Sequence, residues 1–173
     1  MRWLGIDHGT KKIGLAFSDE LEILASPFEV WPQEEDRTLD RLARLCREER
    51  VQALCLGLPR HKDGAESATA PAARAFGEAL AARTGLPRHK DGAESATAPA
   101  ARAFGEALAT RTGLPLRFVN EHLSSAEAER LLRERGVKPE KRKLLLDAAA
   151  AAVILGELLA ERRSRGIPAG RLD

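Results

Sequence analysis

A chain of 173 residues is long enough for one domain with a buried core, and a formal net charge of +2 argues against a molecule that works through a global cationic field. The longest apolar stretch, Ala148 to Leu155, is too short to span a bilayer, so no membrane partner is expected. The N-terminus reaches Asp7 before any apolar run develops, so no secretory leader is expected either.

The chain opens on a hairpin. Trp3, Leu4 and Ile6 form a short apolar strand that ends on Asp7; Gly9 and Thr10 turn the chain, and Lys11 to Phe17 return as a second strand. Ile23 to Trp31 reads as a third strand, with Pro27 marking an edge or a bulge. Arg37 to Arg50 follows as an amphipathic helix whose buried face carries Leu39, Leu42, Leu45 and Cys46. Val51 to Leu58 is nearly continuous in apolar residues, the pattern of a strand buried on both faces. Cys46 and Cys55 form no CxxC pair and read as reduced core residues, which leads us to expect a cytoplasmic protein.

Beyond Leu58 the sequence repeats. Residues 57–84 and 85–112 are identical except for Ala82 against Thr110. Each unit holds a polar turn (Arg60 to Gly64 in the first) and a helix, Thr69 to Arg83 in the first copy, with Phe76 and Leu80 on its buried face. Solenoids need about three or more units and tolerate drift between them, so two near-identical copies read instead as a tandem duplication. Only one copy can fill the site between the preceding and following strands. Lengthening a loop adds only about 0.6 kcal/mol per doubling, so an intact core with one displaced unit is expected, with exchange of the extra helix in a dimer as one outlet.

Leu114 to Asn120 is the next strand. Ser124 or Ser125 caps a helix that Gly136 ends, and a last helix runs from about Lys141 to Arg163. The segment 166–173 reads as a loose tail to a single domain spanning 1–165. Three strands in a meander, followed by alternating helices and strands, predict a mixed α/β sheet covered on both faces.

Three carboxylates stand out. Asp7 ends a buried strand, where it either starts a turn or awaits a cation. Asp147 lies in the apolar run Leu144 to Ala150, where it either feels the helix dipole or pairs with a cation. Glu121 follows a strand and taken alone is an ordinary strand-end residue; its interest comes from the other two. Together the three can converge on Mg²⁺ or Mn²⁺, hard ions that prefer oxygen ligands. The histidines at 8, 61, 89 and 122 show no metal-ligand spacing, so zinc is not expected. Lys11 and Lys12, with Lys141, Arg142 and Lys143, are the basic residues suited to phosphate contact.

These motifs resemble a known family. Gly5-Ile6-Asp7-His8-Gly9-Thr10-Lys11-Lys12-Ile13-Gly14-Leu15-Ala16-Phe17-Ser18-Asp19 is similar to the opening signature of the YqgF family, also called RuvX. Leu56-Gly57-Leu58-Pro59 with Asp63-Gly64, then Asn120-Glu121-His122-Leu123-Ser124, then Asp147 with Ala150-Ala151 and Ile154-Leu155, match its later motifs in order. The resemblance implies an RNase H-like fold of five strands, a three-strand antiparallel meander plus two parallel strands. It implies a metal-dependent nuclease acting in the cytoplasm on the 5′ end of pre-16S rRNA, with Holliday-junction resolution as the alternative. Carried over by position, Asp7, Glu121 and Asp147 are the catalytic, metal-binding carboxylates. The family usually has Asp-Glu-Arg where this chain has Asn120-Glu121-His122.

Two readings of other classes compete. A non-catalytic RNase H-like module would hold nucleic acid without cutting it, since fold alone does not establish activity. Asp7-x-Gly9-Thr10 also resembles the phosphate-binding hairpin of actin-like ATPases and sugar kinases, but this chain shows no second Gly-rich loop.

Overall fold

A computed structural model describes residues 1–58, 98–120 and 125–172. Strands β1 (Trp3–His8), β2 (Lys12–Ser18) and β3 (Ala25–Pro32) lead into helix α1 (Glu35–Glu48) and strand β4 (Ala53–Leu58). Helix α2 (Ala98–Thr112), strand β5 (Leu116–Asn120), helix α3 (Ser125–Glu134) and the long helix α4 (Pro139–Ser164) complete the described chain.

The five strands form one sheet in the order β3-β2-β1-β4-β5. The first three make an antiparallel meander, and β4 and β5 run parallel to β1. This is the mixed sheet that the strand pattern predicts. Pro27 lies in the edge strand, beside a register irregularity between Gly14 and Ala16 of the neighbouring strand, so both expectations for it hold.

Period-two alternation divides the core between two faces. Leu4 and Ile6 of β1, Ile13 and Leu15 of β2, and Leu54 and Leu56 of β4 turn toward α1 and α2, meeting Leu39, Leu42, Ala101, Phe104 and Leu108. Trp3, Ala53 and Cys55 turn the other way, toward Ile154, Leu155 and Leu158 of α4. Helix α3 packs on α4 through Ala128, Leu132 and Ala149. Both thiols are buried, and burial, opposed by the nearby Arg47 charge, pushes that of Cys46 up to about 11, consistent with inert core cysteines.

The helix seated between β4 and β5 is the one supplied by the second copy of the repeat. Its Ala101 and Leu108 are fully buried, and the core is intact around it. The first copy beyond Leu58, with its expected helix from Thr69 to Arg83, lies outside the described residues. The expected tail is more tied than its composition suggests. The Gly170 N–H donates to Glu22 Oε1 at 2.7 Å, and the Arg171 carbonyl accepts from Arg162 at 2.6 Å. No helix among the described residues is long and apolar enough to cross a membrane.

Candidate active site

Helix α4 reaches the sheet because the strands beneath it lack side chains. A Cβ on Gly5 would stand 2.9 Å from Leu155 Cβ and 3.0 Å from the Ala151 carbonyl oxygen. A Cβ on Gly14 would collide with the Asp147 carbonyl. Ala16 meets Ala151 and Ala152 in the same bed. The alanine run of α4 and the small residues of β1 and β2 are thus complementary halves of one close approach.

That approach unites two of the three sequence-predicted carboxylates. Asp7 pairs directly with Gly14 across the β1–β2 ladder, and opposed residues in such a ladder have Cα atoms only about 4.5–5.5 Å apart. Gly14 in turn carries Asp147 on top of it. By alternation Asp7 shares the α4 face with Trp3 and Gly5, so both acids arrive on one side of the sheet, each half-buried. The backbones at positions 7 and 147, separated by almost the whole chain, both adjoin a single glycine.

The third carboxylate, Glu121, and its neighbour His122 lie outside the described residues. The strand that leads to them ends at the same edge. Ile6 pairs with Leu56 and Leu56 with Phe118, so β5 reaches Asn120 at the level where β1 reaches His8.

The basic residues divide. Lys11 and Lys12 are exposed in the β1–β2 turn, immediately beyond Asp7. The turn is pinned: the Gly9 N–H donates to the Lys12 carbonyl at 3.0 Å and the Gln33 N–H to the Lys11 carbonyl at 2.9 Å. Lys141 and Lys143 are exposed on the first turns of α4. Arg142 is half-buried, and its Nε donates to the Val137 carbonyl at 2.8 Å, so part of its guanidinium is occupied in holding the helix start.

His8 is half-buried. Its ring lies 4.5 Å from that of Phe104, and its Nε2 is 2.7 Å from Gln33 Nε2. It packs on the α2 side, the opposite face from Asp7. Burial pulls its pKa below the ordinary histidine value, with a backbone hydrogen bond opposing. Sequence reasoning had no signal for Gln33 or Phe104 as its neighbours, since both arrive from distant segments.

A mixed sheet in this strand order, with helices on both faces, defines an RNase H-like α/β protein. The solved RuvC of Thermus thermophilus shares this fold at a TM-score of 0.52 and 16% identity, covering 95% of this chain and 97% of that one. A family model described as "RuvX: Holliday junction resolvase" matches residues 1–84 and 84–161, two segments that meet where the repeat copies meet. A protein of Dictyoglomus thermophilum named "Putative pre-16S rRNA nuclease" is 34% identical over 160 residues, covering 92% of this chain and 95% of the relative. One of the same name from an Anaeromyxobacter species is 36% identical over 156 residues, covering 90% and 93%. This chain belongs to the RuvX family.

Proposed function

We propose that this protein is a divalent-metal-dependent endonuclease that hydrolyses phosphodiester bonds, with the 5′ end of pre-16S rRNA as its substrate and the cytoplasm as its workplace. The observation that carries the reading is that the backbones of Asp7 and Asp147 both adjoin Gly14, one in the neighbouring strand and one in the helix above it. Two acids placed so close along the backbone can share one cation, and hard oxygen donors fit Mg²⁺ or Mn²⁺. Names carried by full-length relatives support the same class of chemistry.

Asp7 and Asp147 would hold the ion from the strand and the helix, with Glu121 as the third ligand. When bound, such an ion lowers the pKa of an attacking water and offsets charge on the leaving oxygen. The rest falls to side chains. Lys11 and Lys12 grip phosphate oxygens beside Asp7, and Lys141 and Lys143 do so from the helix start, with Arg142 contributing the part of its guanidinium not given to Val137. Phosphate contacts fix register on the strand without reading sequence, which suits a nuclease that recognises the shape of its RNA.

The description of the matching family favours a second substrate, a four-way DNA junction. Cleavage of labelled pre-rRNA and of a four-way junction in Mn²⁺, by this chain and by Asp7→Asn, tests the reading. The expected result is RNA cleavage that falls by more than about a hundredfold in the variant, because even indirect partners of a bound metal are worth 10–100-fold. Cleavage of the junction alone would transfer the activity to branched DNA. Binding of both substrates with no cleavage of either would reduce the protein to a nucleic-acid-holding module.

A further inference from the structure

Six large apolar side chains are strongly exposed among the described residues: Leu21, Ile23, Leu24, Phe28, Leu144 and Leu172. Five belong to the β2–β3 connection, to β3 or to the C-terminal tail. Leu144 alone stands at the carboxylate end, with 67% of its surface exposed. Single exposed leucines are common, so its exposure carries weight only through its position.

That position is unusual. Asp147 lies one helical turn further along α4, so Leu144 is about 4.5 Å closer to the helix N-terminus. Because Asp147 rests on Gly14 and Ala151 on Gly5, α4 runs antiparallel to β1, and its first turns project past the carboxylate edge. Helical side chains lean toward the N-terminus, so Leu144 leans along the helix axis, past the sheet edge. Exposed Lys141 lies one turn back on the same face, beside Glu140 and Asp147; over residues 138–144 the one acid, Glu140, is outnumbered by Lys138, Lys141, Arg142 and Lys143.

A lone apolar side chain on a basic helix start is a poor docking patch for a protein, which needs a contiguous apolar area. It does suit a nucleic acid, whose phosphates satisfy the cations and whose bases offer flat apolar faces. Aliphatic side chains inserted between base steps are a known way of unstacking a strand. Resting on the nuclease reading above, we infer that Leu144 is a positioning residue. It inserts beside the base next to the scissile phosphate, opens the stack, and turns that phosphate toward Asp7 and Asp147.

The test uses the full chain and RNA hairpins carrying 2-aminopurine at successive positions across the cleavage site. Fluorescence is read without divalent ion, and cleavage is read in Mn²⁺. The unmutated chain should raise the fluorescence at one or two adjacent positions. Leu144→Ser should abolish that rise and lower kcat by about tenfold while leaving Kd within about threefold; Leu144→Met should restore both. So exposed a site tolerates either change without unfolding, and circular dichroism checks this directly. The inference is overturned if the unmutated chain gives no rise, if Leu144→Ser keeps both the rise and kcat, or if Leu144→Ser weakens binding alone. Asp7→Asn separates this inference from the parent reading. A variant that cleaves normally would sink the carboxylate assignment, while a fluorescence rise lost only with Leu144 would still uphold the wedge.

Discussion

The two ends of the sheet handle charge in opposite ways. At the end away from Asp7, Glu22 and Arg162 are 4% and 3% exposed and bind each other at 3.0 Å. Glu22 also accepts from the Gly170 N–H at 2.7 Å and lies 3.4 Å from the Met1 ammonium, while Arg162 donates to the Arg171 carbonyl and stacks 5.1 Å from the centre of the Trp3 ring. Both of these buried charges are matched inside the protein. At the other end, Asp7 and Asp147 are half-buried, and Lys11, Lys12, Lys141 and Lys143 face solvent. Buried charge paired inside the protein ties the chain together; exposed lysines are open to a ligand. The contrast separates the end that holds the molecule from the end we propose to be the active site.

The largest expected effect breaks the holding end. Removing one partner of a buried ion pair leaves the other charge stranded, at a cost of about 3–5 kcal/mol. Glu22→Ala should therefore lower the unfolding free energy by that amount, as read from the urea midpoint at an unchanged m-value. The double variant Glu22→Leu with Arg162→Met should recover much of it, because no buried charge then remains. Cleavage per folded molecule should not change in either. A catalytic defect in well-folded Glu22→Leu/Arg162→Met would erase the division between the two ends.

A smaller loss of stability with a larger loss of function is expected at Gly14. The atom that a new Cβ would strike is the backbone carbonyl of Asp147, which cannot rotate away as a side chain can. Gly14→Ala should cost about 1–3 kcal/mol through overpacking and push α4 off the first hairpin. Lifting the helix moves Asp147 away from Asp7, so cleavage should fall well below what the remaining folded fraction explains. Retained activity in a folded Gly14→Ala protein would mean that the two acids need not meet over this glycine.

Much of this was legible in the residues and some was not, for physical reasons. Alternation and apolar runs sufficed for the meander, the buried strand Ala53–Leu58 and the leucine face of α1, because period and burial are local properties. Asp7 and Asp147 were legible as costly charges in apolar settings. That Gly14 joins them was not, since a glycine reveals its close neighbour only when the chain folds. Strand ends were read one or two residues long: Val51 and Gln52 precede β4, bonded instead to Cys46 and Arg2. The tail looked loose because Gly170 and Arg171 act through backbone groups that any residue carries, and their partners are more than a hundred positions away or hidden in a basic helix end. Which copy of the repeat sits on β4 could not be read at all, since the two copies are almost the same string.

The smallest effect sharpens the comparison through acid. Burial opposes ionisation of Glu22, but the hydrogen bonds from Gly170 and Arg162, and the charges of Arg162 and the Met1 ammonium, outweigh it and hold its carboxyl below the ordinary value of 4.5. A carboxyl with a lowered folded pKa binds its proton more readily in the unfolded chain. Its stabilisation is therefore complete above the unfolded value and is lost as pH falls through the folded one. Urea midpoints should be flat for this group from neutrality to about pH 5 and fall below that, and Glu22→Gln should remove that part of the fall. Asp7→Asn should leave the acid limb assigned to Glu22 in place, because the carboxylate end contributes binding capacity and the other end contributes cohesion. If Asp7→Asn flattened the acid limb as much as Glu22→Gln, the working end would be holding the fold as well.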